Sequence, residues 1–175
     1  MNSRKIRDIV IAAMVGAVYA ALTLVVPALS FGAVQFRFSE ALCVLPFFMP
    51  HTAWGLAVGC AFANLFGGFG WMDIVFGSLA TLAAGLIASR TKHRVLVPLP
   101  AVLINAVVVG AVIAYSMAGT SAAFGGVFAW NMLTVGAGQL GACYGLGLPL
   151  IYALPNIRPL RKYFAQNLTG ETEHD

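Results

Sequence analysis

Charge is what this chain has least of. Only 9% of its 175 residues are charged, against about 25% in an ordinary soluble domain, while 60% are hydrophobic and the mean hydropathy is +0.87. That scarcity excludes a soluble globular fold, and no stretch is polar enough to form a separate soluble domain. Signatures of chemistry are missing too. The three cysteines, Cys43, Cys60 and Cys143, are odd in number, far apart and set in apolar runs. They read as small buried side chains, not as a disulfide or metal framework. Neither HExxH nor GxSxG occurs, and His51, His93 and His174 fall singly in a turn, a loop and the tail. Enzymatic catalysis therefore has little to work with, and no metal or cofactor is expected. A Walker A loop is also absent, so the chain cannot hydrolyse ATP itself. Nor is there a clear inverted repeat of the kind that stand-alone secondary transporters use.

The few charges are informative by position. Arg4, Lys5 and Arg7 precede the first apolar run, Arg90, Lys92 and Arg94 share one loop, and Arg158, Arg161 and Lys162 follow the last run. By the positive-inside rule these nine mark the cytoplasmic side, which explains the net charge of +4 without invoking nucleic acid. At roughly 20 apolar residues per span, the chain has room for about six. The expectation is an all-α integral membrane protein with six transmembrane helices and both termini cytoplasmic. It forms one domain over residues 1–165, followed by a polar, disordered tail at 166–175. The first apolar run, Ile9 to Leu29, is too long for a signal-peptide core and reads as a retained helix.

In order, spans are expected at about 7–26, 38–48, 52–66, 71–89, 97–117 and 128–154. The first carries two adjacent rows of small residues at four-residue spacing, Ala13, Ala17, Ala21 and Ala12, Gly16, Ala20. Such rows admit another helix at close range, either within the chain or from a separate membrane subunit. Gly55, Gly59 and Ala63 form a similar row on the third span, and Gly141 and Gly145 stand at GxxxG spacing on the sixth. The second span is only eleven residues, rising about 17 Å against a hydrocarbon core near 30 Å. Part of the outer thickness there must be irregular backbone, which membranes tolerate where it lines a cavity or is covered by protein.

That irregular part adjoins the most polar stretch in the apolar region: Gln35, Arg37, Ser39 and Glu40 within six residues. Ionisable groups at bilayer depth are costly unless paired or facing a polar cavity, so they mark a candidate site. With Asp73 at the start of the fourth span, Arg37 and Glu40 are the charges left on the outer half. Arg37 and Glu40, three apart, share a face if the second helix starts early enough, and form either an internal ion pair or part of a binding site. Asp73 suits a helix start or a ligand equally well. The amides Gln35, Asn64, Asn131 and Gln139 supply donors and acceptors for a flat polar molecule. Phe36, Phe38, Trp71 and Trp130 supply stacking faces, although both tryptophans also fit an interfacial belt. Asn105 reads as an interhelical hydrogen bond.

Several of these motifs resemble a known family. The run Gly32-Ala33-Val34-Gln35-Phe36-Arg37-Phe38-Ser39-Glu40-Ala41-Leu42 with Val44-Leu45-Pro46 is similar to the QueT family of membrane proteins. So are Gly59-Cys60 with Ala63-Asn64, and Asp73-Ile74-Val75-Phe76-Gly77-Ser78-Leu79-Ala80-Thr81. The resemblance implies a substrate-binding S component of an energy-coupling factor (ECF) transporter in the bacterial cell membrane. It implies a 7-deazaguanine queuosine precursor as ligand, and a membrane T component with two cytoplasmic ATPase subunits as partners. Family members carry AxxxA on the first helix for the T component, which Ala13, Ala17 and Ala21 match, with Gly16 in the flanking row. A carboxylate, Glu40 or Asp73, would accept from the guanidine-like edge of the base, and the other would meet a cationic substituent. The rival readings are a small stand-alone carrier, or a structural membrane protein in which Arg37 and Glu40 satisfy each other.

Overall fold

The computed structural model describes residues 3–32, 34–67 and 69–157. The basic group at 158–162 and the tail at 166–175 lie outside the described residues. Helix 1, Ser3–Val25, runs unbroken until Pro27 redirects the chain into one short turn, Pro27–Ser30. A 3-10 helix, Phe38–Phe47, forms helix 2, and helix 3 is Thr52–Asn64. Helix 4, Asp73–Ala88, opens with a π turn, Asp73–Gly77. Helix 5 is Leu99–Ala118. Helix 6 begins as Phe124–Ala142, passes through a second π turn, Cys143–Gly147, and continues as Leu148–Ala153. Three helical stretches, Ser3–Val25, Arg94–Ala118 and Phe124–Asn156, are long and apolar enough to cross a membrane. Exposed Ile9, Val10, Met14, Val18 and Leu22 on helix 1 present the apolar surface that lipid requires.

The residues expected as the second span form a helix, but not an α-helix. Ten residues of 3-10 geometry rise about 20 Å, and such runs seldom exceed a single turn. Pro46 lies within it and lacks the N–H that a regular ladder needs. This helix sits among helices 1, 4 and 6 and is buried along Ser39, Glu40, Cys43, Val44, Leu45 and Pro46.

Apolar packing is layered along the bundle. At the basic end, Val44, Met49, Ala88, Val97, Ile151 and Leu154 join, bringing three interhelical junctions together. The middle layer contains Tyr19, Cys43, Leu56, Cys60, Ala101 and Cys143. Val109, Ile113 and Val135, with Phe69 against them, close the charge-poor end.

Helices 1 and 3 meet through glycine. A Cβ built on Gly55 would overlap the Ala12 carbonyl, and one on Gly59 would overlap that of Gly16. This separates the two small-residue rows on helix 1. Ala12, Gly16 and Ala20 face helix 3, whereas Ala13, Ala17 and Ala21 remain exposed. The exposed row borders a groove of about 840 Å³ whose other wall includes Trp54, Val58 and Phe62 of helix 3.

Candidate functional site

Arg37 is not on a helix. It stands in extended backbone at φ −94° and ψ 110°, where the chain enters the 3-10 helix. The preceding loop is folded back, with the Phe36 N–H donating to the Leu29 carbonyl at 3.0 Å. The Arg37 side chain is only 2% exposed. Its Nε donates to the Ser30 carbonyl at 3.1 Å, and its guanidinium lies over the Phe31 ring, 5.0 Å from the centroid. Nη2 is 3.6 Å from Oδ2 of Asp73, so the charges pair without a hydrogen bond of normal length. Arg37 and Glu40 therefore do not form the pair that their spacing suggests, because the residue before the helix points away from the helix's own face.

The π turn that begins helix 4 holds Asp73 in place. Asn64 Nδ2 donates to the Asp73 backbone carbonyl at 2.8 Å and lies 3.6 Å from Cys60 Sγ. Gly77 leaves the needed space, since a Cβ there would come within 2.9 Å of both Asn64 Nδ2 and Asp73 Oδ1. Asp73 is thus fully buried, more than a helix-start residue requires.

Glu40 sits in a different setting. Tyr19 Oη of helix 1 donates to its Oε1 at 2.7 Å, and Cys43 Sγ donates to its Oε2 at 3.0 Å. One turn along helix 1, Thr23 and Ser39 share a hydroxyl hydrogen bond of 2.7 Å. Cys143 Sγ, which opens the second π turn, donates to Gln139 Oε1 at 3.4 Å and approaches the Glu40 carbonyl at 3.7 Å. Both Glu40 oxygens are engaged. By contrast, Asp73 Oδ1, Asn64 Oδ1, Ser30 Oγ and both polar atoms of Gln35 have no hydrogen-bond partner among the described residues. Leaving such a group buried costs about 1–3 kcal/mol, so this many in one bundle call for a functional explanation.

The remaining candidates are dispersed. Trp130 and Asn131 line a cavity of about 570 Å³ at the charge-poor end, together with Phe31, Phe69 and Met117. Asn131 Nδ2 is already committed to the Val127 carbonyl at 2.8 Å. Phe36 is turned toward helix 6, with its ring against Gly141 and edge-on to Phe38 at 5.1 Å. Asn105, expected as a deep interhelical hydrogen bond, is buried, with its Oδ1 unpartnered among the described residues.

The family model of the QueT transporter matches residues 9–156. The chain belongs to the QueT transporter family. Among curated proteins, the Queuosine precursor transporter QueT of Lactococcus lactis subsp. cremoris (strain MG1363) is 39% identical over 84 residues. That alignment covers 47% of this chain and 49% of the relative, so the chain spans about half the length of the curated protein it matches. No solved structure matches. Family membership and the long apolar helices together make this a multi-pass membrane protein.

In this QueT-family chain, the sequence reading missed Tyr19 and Phe31, and took Cys60 only as a small buried side chain. Tyr19 had a usable signal: a buried phenol normally finds a partner, and this one lies in the apolar run of helix 1. Cys60 and Phe31 had none, because a thiol or a ring in an apolar run is indistinguishable from packing.

Proposed function

We propose that the chain is the substrate-binding S component of an ECF-type, ATP-driven importer, and that it captures a 7-deazaguanine queuosine precursor at the outer face. In this reading six helices cross the bilayer, with both termini and the Arg90–Arg94 loop in the cytoplasm, so the charge-poor end faces outward. The observation that carries the proposal is the buried set of Arg37, Asp73 and Asn64, with unpartnered donors and acceptors inside an apolar bundle; the Gln35 amide, two residues before Arg37, is buried and unpartnered as well. Counting formal charges, Glu40 and Asp73 outnumber Arg37, so a ligand that brings donors and a positive group suits the site.

Geometry also favours roles for the two carboxylates. Asp73 has an unoccupied oxygen and takes the guanidine-like edge of the base, with Arg37 donating to the ring carbonyl. Glu40, held by Tyr19 and Cys43, supplies field to a cationic substituent and anchors helix 1 to helix 2. On the outside of helix 1, Ala13, Ala17 and Ala21 remain available to a membrane T component, which would be joined by two ATPase subunits. The row containing Gly16 is already used internally.

The test is titration of the purified protein in detergent with 7-deazaguanine bases, with guanine as the competitor. Saturable binding that Asp73→Asn abolishes supports the reading. A correctly folded protein that binds none of these bases overturns it. Uptake in cells with and without a T component decides the coupling, since full uptake without the T component would contradict an S-component role.

A further inference from the structure

Phe31 stands between two features that do not otherwise meet. Its ring lines the cavity of about 570 Å³ at the charge-poor end. The same ring carries the Arg37 guanidinium 5.0 Å from its centroid. Arg37 is not part of the cavity wall and is 2% exposed. The guanidinium edge is used by Ser30 and Asp73, and its face is covered by this ring. Phe31 therefore stands between the cavity and the guanidinium face of the buried pair.

The ring is tightly lodged but free to leave. It rests on Gly67, where an added Cβ would come within 2.5–2.9 Å of three ring atoms. Only glycine leaves room for it there. Phe31 itself follows the short Pro27–Ser30 turn and precedes the loop, so a change of side-chain rotamer displaces it without moving a long helix. An aromatic ligand that replaces the ring restores the lost cation–π contact, which makes the exchange close to neutral.

We propose that Phe31 is a seal between the outer cavity and the buried Arg37–Asp73 pair, and that a planar aromatic ligand reaches the pair by taking the ring's place over the guanidinium. The ligand class rests on the function proposed above, but the seal does not. Cys60 provides a reporter behind it. Its Sγ lies 4.0 Å from Arg37 Nη1 and is fully buried, as is Cys143, while Cys43 is nearly so.

The experiment uses the full chain in detergent with methyl methanethiosulfonate, a small neutral thiol reagent, and follows each cysteine by peptide mass mapping. Phe31→Ala is expected to speed modification of Cys60 by about tenfold, equivalent to about 1.4 kcal/mol in the opening equilibrium. Cys43 and Cys143 should keep their wild-type rates, and Phe31→Trp should return Cys60 to the slow rate. An unchanged Cys60 rate in Phe31→Ala overturns the proposal. So does equal acceleration at all three cysteines, because that reports a loosened bundle. No ligand is needed, so a failure of deazaguanine binding and a failure of the seal are read separately.

Discussion

Removing the Asp73 charge tests whether the buried ion pair serves the fold alone. Asp73→Asn leaves the Arg37 guanidinium buried, with the Ser30 carbonyl, the Cys60 sulfur and the Phe31 ring as its neutral partners. Breaking a buried pair by removing one member costs about 3–5 kcal/mol. The separation of 3.6 Å exceeds hydrogen-bond length, which puts this pair at the low end of that range. For a chain of this size, about 3 kcal/mol lowers Tm by about 6–12 °C. Arg37→Met should cost a similar amount, because it strands a buried carboxylate with no side-chain hydrogen-bond donor among the described residues. The double variant removes both charges and should recover to within about 1–2 kcal/mol of wild type. Thermal unfolding in detergent measures all three. Ligand titration then separates architecture from recognition. If the pair recognises the base, the refolded double variant loses two charge-assisted hydrogen bonds at about 1.5–3 kcal/mol each, a loss of at least about 100-fold. Additive destabilisation by the single changes would refute the coupling. Wild-type affinity in the double variant would move the site elsewhere.

Other expectations follow from neighbouring contacts. Tyr19→Phe leaves Glu40 Oε1 buried without its 2.7 Å donor and should lower stability by about 1–3 kcal/mol, read from the same melting curves. Gly59→Leu drives a side chain into the Gly16 backbone and should prevent monodisperse folding. Ala17→Leu, on the exposed row, should leave folding and ligand binding intact while abolishing co-purification with a T component. Burial holds the His51 pKa below its ordinary value, with Asp8 opposing the shift and Arg7 reinforcing it. Folding therefore favours the neutral ring, and its stabilising share is present above about pH 6.5. It declines as pH falls below that value toward the folded pKa. His51→Gln should flatten this part of the stability profile, and an unchanged acid slope would remove His51 as its source.

The polar stretch was legible because ionisable residues are conspicuous in an apolar chain. Arg37, Glu40 and Asp73 are all buried on that account, yet their pairing was not legible. A spacing of three implies a shared face only if both residues are helical, and Arg37 lies one step before the helix begins. The two alanine rows were equally plausible as lines of text. Only the position of Gly55 and Gly59 decides that Gly16 turns inward and Ala17 outward. Tyr19 escaped notice, and Cys60 was read only as a small buried side chain, because their contacts depend on neighbours from helices 2 and 3, which no local pattern records.

The departures from α-helical geometry gather where the polar groups do. Helix 2 is 3-10 around Glu40, one π turn starts at Asp73, and the other starts at Cys143 beside the Glu40 carbonyl. Single π turns recur at functional sites, since the widened turn reorients side chains that a regular helix would stack in line. Lipid offers no water to satisfy displaced backbone groups, so such irregularity survives only where protein surrounds it. Here Gly147 lets helix 6 approach helix 2, with an imagined Cβ 3.2 Å from the Ala41 carbonyl, while Asn64 reaches across from helix 3 to the Asp73 carbonyl. A purely structural bundle could have continued these helices as regular α turns with leucine in place of Asp73 and Gln139. Three irregular helices and a set of polar atoms without partners among the described residues cost stability together, and the ligand-binding role proposed above would account for them jointly.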